Sequence, residues 1–273
     1  MGGGSAERDS IRITSLDTIR QSDTVAIEEP LSLAVSIDGL SPTPLGILMR
    51  TPGNDIELIH GFLYSEGIIS SSADILNIRI EDNNADVTIS PESDFDPGNY
   101  VRRTTMSSSC GVCGRSTISD MLHLHSNPLS EEISLNYNIF SSNLEKMSAS
   151  QELFRTSGGT HACASFTENG DLVSIFEDVG RHNAMDKLVG SHLIENLTPP
   201  SNCILVVSGR ASFDLVQKSI RSGFPIMLAI GAPSSLAVDL ANEHGLTLAC
   251  FCKESSMSTF SGLRRVINHE YNK

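Results

Sequence analysis

From about residue 153 onward the chain alternates apolar runs of strand length with stretches of helical periodicity, and this alternation narrows the possible folds more than any other feature. Residues 203–207, 225–230 and 246–252 are almost wholly apolar, and residues 212–221 and 236–243 between them carry apolar side chains at helical spacing. Short apolar strands separated by helices predict a parallel or mixed sheet covered by helices, with right-handed crossovers. Residues 161–166 and 172–177 read as two more strands around a Glu168-Asn169-Gly170 turn, and residues 181–195 as a helix. Gly223 and Gly245 follow helical stretches as stop signals, and Ser234 or Ser235 is placed to cap a helix start.

The text before residue 100 has a different grain. Residues 30–38 alternate apolar and polar, Asp38-Gly39 is a hairpin turn, and residues 45–50 supply the partner strand. Asn54 or Asp55 can cap a short helix through Leu63, and residues 75–81 and 85–90 form a second hairpin around Asp82-Asn83-Asn84. The first ten residues read as a mobile tail, residues 91–99 as a boundary loop, and residues 140–148 as a helix. The expected organisation is a small α+β N-terminal domain (1–100), a linker region with a mobile CxxC loop (101–150) and an α/β domain (151–273).

Charge excludes some functions. The net charge is −14, but residues 1–100 hold 5 basic and 17 acidic residues, whereas residues 101–273 hold 14 and 16. A broadly basic nucleic-acid surface or a polybasic membrane patch is therefore not expected. No run approaches the roughly 18 apolar residues of a membrane span. The opening MGGGSAERDS lacks the apolar core of a secretory signal, so the expected location is cytoplasmic. In a reducing compartment six cysteines are expected to be buried, metal-bound or catalytic rather than paired as disulfides.

Cys110-Gly111-Val112-Cys113 is the sharpest local signal. Arg102, Arg103 and Arg115 are near in sequence and would favour a thiolate, the form needed for sulfur transfer, disulfide exchange or metal ligation. Residue by residue, four readings stay open. They are a zinc knuckle completed by His123 and His125 or by Cys250 and Cys252, a thioredoxin-like site, a redox or sulfur-carrying loop, and two exposed cysteines without a role. Cys250 and Cys252, two apart on a strand, are expected to share a face, and Cys163 and Cys203 to lie in the core.

Three further elements sit where strands meet helices. Gly158-Gly159-Thr160-His161 leads into a strand, and His161-Ala162-Cys163 lacks the glutamate of a zinc deaminase site. In the run Glu177 to Lys187, Arg181 and His182 open a helix and can hold an anion, with His182 and Asp186 on one face. Ser208-Gly209-Arg210-Ala211-Ser212 and Gly231-Ala232-Pro233-Ser234-Ser235 follow successive strands. Together they predict a phosphate-binding cleft beyond the strands' carboxyl ends.

Taken in order, SSSCGVCG, SGGTHACASF, EDVGRHNAMDKLVG, SGRASFDLVQKSIRSG and GAPSSLAVDLA resemble the formate dehydrogenase accessory sulfurtransferase family (FdhD). With EEPLSLAVSIDG and MRTPGNDIELIHGFLYSEGII, the resemblance covers about residues 25–260. It implies a cytidine deaminase-like three-layer α/β/α C-terminal domain beside the smaller α+β one, and a homodimer. It also implies a sulfur carrier loaded by a cysteine desulfurase through a persulfide on Cys110, with Cys113 as a second relay or resolving thiol. The sulfur would go to the molybdenum bis(molybdopterin guanine dinucleotide) cofactor, bound as substrate and mimicked by GDP, before its insertion into formate dehydrogenase. No permanent metal, nucleic acid or membrane is implied. The family's cofactor stretch falls on Phe251, Cys252, Lys253, Glu254, Ser255 and Ser256, where Lys253 supplies the one positive charge. Ser208, Gly209, Arg210, His161, Arg181 and His182 complete the expected binding set. The competing expectations are a non-catalytic cofactor-binding chaperone with a structural or zinc-binding CxxC, and a deaminase-like zinc hydrolase.

Overall fold

In the first part of the chain the alternation predicted over residues 30–38 sorts side chains between two sides of one strand. In β3 (Glu29–Ile37), Leu31, Leu33 and Val35 are buried, and the residues between them are not. The computed structural model describes residues 4–93, 95–97 and 128–267. Strand β3 pairs antiparallel with β4 (Thr43–Arg50) and parallel with β6 (Asn84–Ile89), and β6 pairs antiparallel with β5 (Ile75–Glu81). The sheet order is β4-β3-β6-β5. Helix α1 (Asp55–Ser65) buries Leu58, Ile59 and Leu63 in the same apolar cluster. Asn54 occupies its N-cap position with φ 56° and makes no side-chain capping bond, while Asp55 binds the buried Arg50 (Nε–Oδ1 3.0 Å, Nη2–Oδ2 3.1 Å).

The expected N-terminal tail is instead a strand. β1 (Ser5–Ile13) pairs along its length with β2 (Thr18–Ala26). Ser-Ala-Glu-Arg-Asp-Ser-Ile-Arg-Ile carries no buried face, because the ladder to β2 rather than a core holds it. That ladder leaves no mark in composition.

The second part bears out the strand–helix alternation as a mixed sheet. β8 (His161–Thr167) and β9 (Leu172–Asp178) form a hairpin. β10 (Cys203–Val207), β11 (Ile226–Ala229) and β12 (Thr247–Lys253) run parallel to one another, and β13 (Ser256–Ser261) returns antiparallel. The order is β13-β12-β11-β10-β8-β9. Helices α4 (Arg181–Ile194), α5 (Phe213–Ser222) and α6 (Ser235–Glu243) pack on one face. On the other lies α2 (Tyr137–Ser150), which extends the helix predicted over 140–148 and buries Phe140, Leu144 and Met147. A shorter helix, α3 (Glu152–Ser157), precedes β8. Two-residue strands β7 (Leu135–Asn136) and β14 (Val266–Ile267) pair in parallel and tie the last described residues to the start of α2.

The two parts are joined by the crossing of α1 and α4, at Gly61 and Gly190. A Cβ on Gly190 would overlap the Glu57 carbonyl and stand 2.8 Å from the Gly61 nitrogen, and one on Gly61 would overlap the backbone of Asp186. Glycine at both positions brings the helix backbones closer than the usual interaxial spacing of about 8–10 Å allows for larger side chains. Charged groups are sealed beside this contact. Lys187 is 1% exposed, pairs with the buried Asp178 at 2.8 Å and donates to the Thr51 carbonyl at 2.9 Å. Asp186 accepts from Lys218 Nζ at 2.6 and 2.7 Å and from Ser65 Oγ at 2.8 Å.

Candidate binding cleft at the carboxyl ends of the strands

Strands β10, β11 and β12 end on one side of the sheet, and because β8 runs antiparallel to β10, its first residue, His161, lies at that same side. Ser208 is locked to β8 there: its N–H donates to the Ala162 carbonyl and its Oγ accepts from Ala162 N, both at 2.9 Å. Gly209 follows, and a Cβ on it would sit 3.6 Å from His161 Nδ1 and 3.7 Å from Arg181 Cδ. The structure thus brings together His161, Arg181, Ser208 and Gly209, with Arg210 exposed beside them. The two βα loops lie side by side: Gly231 N donates to Gly209 O at 2.9 Å, Ala211 N to Ala232 O at 3.1 Å and Ser234 N to Ala211 O at 3.1 Å. Ser234 caps α6 through its side chain.

Burial and the Arg181 charge together set the charge state of the cleft's histidines. Burial, then the positive charge of Arg181, holds His161 below the ordinary imidazole range. His182 is pushed down to about 4, by burial first and then by Arg181, Lys218 and His161. It is therefore neutral at pH 7, and its approach to Asp214 (Nε2–Oδ2 3.8 Å) is not an ion pair there. Three buried polar atoms here have no partner within the described protein: Arg181 Nε, His182 Nε2 and Ser212 Oγ. Buried polar groups are rarely left unpaired, so these atoms fit a polar ligand.

Phe251 closes the far side. Its N–H donates to Gly231 O at 3.1 Å, the residue is 45% exposed, and its φ is 53°, a left-handed conformation that bulky residues rarely adopt. This conformation overturns one expectation. Cys250 joins the apolar cluster under α4–α6 and Cys252 the cluster under α2, so the two cysteines face opposite sides of the sheet. The left-handed residue between them, with the irregular register from Cys250 to Lys253, breaks the two-residue repeat. One metal ion cannot draw on both. Of the remaining stretch, Cys252 is buried, Lys253, Glu254, Ser255 and Ser256 are exposed, and Tyr137 Oη donates to the Ser255 carbonyl at 2.6 Å.

The run from Glu177 to Lys187 divides in two. Arg181 and His182 face the cleft, while Asp178, Asp186 and Lys187 are sealed in the joint with α1. His182 and Asp186 do share a helix face, and it meets the matching pair Asp214 and Lys218 on α5. Asp214, Lys218, Thr51 and Ser65 escaped the sequence reading. The spacing of Asp214 and Lys218, four apart, was a usable signal, whereas Thr51 and Ser65 carried none.

The four described cysteines, 163, 203, 250 and 252, are all free and buried. Burial raises every one of these thiols, Cys250 and Cys252 to about 12. Cys110, Cys113, Arg102, Arg103, Arg115, His123 and His125 lie outside the described residues. Among the described residues no group of three or more His, Cys, Asp or Glu side chains is arranged to hold a metal, and no helix is long and apolar enough to cross a membrane.

The FdhD/NarQ family model matches residues 26–267. A sulfur carrier protein FdhD of Saccharolobus solfataricus is 40% identical over 94% of this chain and 96% of its own length. One from Nocardia farcinica is 38% identical over 97% and 96%. Among solved structures, that of a candidate formate dehydrogenase accessory protein from Desulfotalea psychrophila superposes with a TM-score of 0.77 at 26% identity, covering 97% of this chain and 100% of that one.

Proposed function

The chain belongs to the FdhD/NarQ family, and from that premise we propose that it is a sulfur carrier serving formate dehydrogenase. Sulfur comes from a cysteine desulfurase. The Cys110 thiolate attacks the outer sulfur of the donor's persulfide, the S–S bond to the donor cysteine breaks, the donor leaves as a thiolate, and Cys110 carries the persulfide. Cys113 acts as the second relay or resolving thiol. The acceptor is the molybdenum bis(molybdopterin guanine dinucleotide) cofactor, held as substrate in the cleft of His161, Arg181, His182, Ser208, Gly209 and Arg210 and along Phe251 to Ser256. We read the second sheet as deaminase-like, a reading supported by helices on both of its faces, and the protein as a cytoplasmic homodimer.

The observation that carries the sulfur step is an elimination. Of six cysteines, four are sealed thiols whose ionisation burial opposes, and Cys110 and Cys113 are the two that remain. Only a thiolate attacks a persulfide. The test is intact-mass spectrometry after incubation with a desulfurase and cysteine. The expected gain is about 32 Da per sulfur in the parent and none in Cys110→Ala. A gain that persists in the Cys110→Ala/Cys113→Ala double variant, or no gain in the parent, overturns the assignment. The second outcome would favour the non-catalytic chaperone.

A further inference from the structure

The β1–β2 hairpin stands out from the rest of the chain as an arm. Its base is held against α3 and the start of β8: a Cβ on Gly4 would stand 2.9 Å from Leu153 Cδ1, and one on Gly159 would stand 3.3 Å from Ala26 Cβ. Only Ile27 and Glu28 separate β2 from β3, so the direction of the arm is fixed at its base. From there nine paired residues carry the tip outward by roughly 30 Å, at about 3.4 Å per residue. No residue of either strand is buried, yet the tip is apolar. Ile13 is 76% and Leu16 95% exposed, with Ile11 and Ile19 exposed beside them. Ile11 and Ile13 share one face of the ribbon, and Ile19, paired with Arg12, lies on the other. A two-stranded hairpin alone is at best marginally stable in water, and open strand edges next to apolar side chains invite a partner.

A matching surface lies on the first sheet. Helix α1 packs on the face that carries Leu31, Leu33 and Val35. On the opposite face Ile47 is 66% exposed and Met49 is exposed with it, alternating along β4 with Leu48 and the buried Arg50. The same face continues across β3 to Asp86 on β6 and Glu81 on β5, both exposed. Charge matches as well. Residues 11–20, the tip of the arm, hold Arg12 and Arg20 against the single acid Asp17, whereas residues 27–100 hold 2 basic and 13 acidic residues. Two arginines are too few to grip nucleic acid or an anionic membrane, but they suit an apolar face with acidic neighbours. Within one chain the tip and the sheet face both stay exposed. A second copy supplies each with its complement, and a two-fold axis makes the exchange reciprocal and closed.

We propose that the β1–β2 arm of one copy lies across the open face of the first sheet of a second copy, whose own arm lies across the first. The proposal rests on the homodimer of the sulfur-carrier reading and names its contact. Sedimentation velocity of the full chain over a concentration series measures the dimer dissociation constant. The parent should be a dimer. Ile13→Asp/Leu16→Asp on the arm and Ile47→Asp on the face change side chains that are exposed in the single chain, so both variants should keep the parent's circular dichroism. Each should raise the dissociation constant at least tenfold. Leu263→Asp, which alters an equally exposed apolar residue in the second part of the chain, should leave it unchanged. An equimolar mixture of the arm and face variants should dimerise more tightly than either alone, because one of the two arm–face contacts is then intact. A monomeric parent overturns the homodimer and the proposal together. A parent dimer that tolerates the arm variant or the face variant, that is weakened as much by Leu263→Asp, or that is not partly restored in the mixture overturns the exchange alone. The persulfide mass gain tests the sulfur step independently of every one of these outcomes.

Discussion

The crossing of α1 and α4 makes Gly190→Ala the most informative single change in the fold. The new methyl carbon would overlap the Glu57 carbonyl and stand 2.7 Å from its carbon, and the atoms it meets are backbone on both sides. Ordinary carbon contacts begin near 3.5 Å, so the helices must part by about 1 Å. A gap of that size forfeits roughly a quarter to a half of each contact's dispersion energy. Overpacking of a rigid site commonly costs about 1–3 kcal/mol. Here the strain also reaches Asp186, whose backbone abuts Gly61 and whose carboxylate is paired in the joint, so a loss of about 3 kcal/mol or more is expected. With an m value near 3 kcal/mol/M in urea, the unfolding midpoint should fall by about 1 M. Gly209→Ala is the control. Its Cβ meets nothing nearer than 3.6 Å, so its midpoint should stay within about 0.2 M of the parent, an ordinary surface effect of about 0.5 kcal/mol. A Gly190→Ala protein whose midpoint matches that control would refute the close contact between the helices.

Two other outcomes follow from buried and strained groups. Burial lowers His60, His161, His182 and His192, and His182 reaches about 4. An unfolded chain binds protons below about pH 6.5 that these folded sites refuse, so stability is full above that pH and declines as pH falls towards 4. Asp186, raised by burial, works in the opposite direction at the acid end. The urea midpoint should therefore drop between pH 7 and 5, less steeply in His182→Gln, and a flat profile in the parent would contradict the assignment. Phe251→Gly should relieve a left-handed conformation costing about 1 kcal/mol while giving up the ring of a half-exposed residue. Stability should change by less than about 1 kcal/mol, whereas calorimetric affinity for GDP should fall several-fold, and unaltered affinity would remove Phe251 from the cleft.

What the sequence disclosed follows from what each residue reports about its surroundings. Strands β10, β11 and β12 were readable because a strand covered on both faces has to be apolar along its whole length, and no other element nearby has that composition. The cleft was readable for a related reason: Ser208–Ser212 and Gly231–Ser235 follow such strands, and the sheet brings successive strand ends together. Strand β1 was unreadable, since its order comes from a partner strand and its side chains face solvent. The opposed faces of Cys250 and Cys252 were unreadable too, because a phenylalanine gives no warning of a left-handed backbone. The joint of α1 with α4 was hidden more deeply. Gly61 and Gly190 look like weak points in two helices until the helices are seen to cross there.

The run from Glu177 to Lys187 shows why motif matching alone would mislead a mutational study of this cleft. Its polar residues look like one ligand-binding cluster, but polar side chains in sequence do not declare whether their partners are ligands or distant parts of the chain. Asp178 accepts from Thr51 N at 3.0 Å with one oxygen, and from Gly180 N at 2.8 Å and Asn183 Nδ2 at 3.0 Å with the other. It therefore fixes the turn that presents Arg181 and His182, and anchors that turn to the first sheet. Removing Lys187 would leave the Asp178 charge buried without its counter-ion, a loss of about 3–5 kcal/mol, and ligand binding would then fail through stability. Arg181 and His182, with polar atoms that lack partners among the described residues, are the positions where a loss of binding without a loss of stability can be attributed to the ligand.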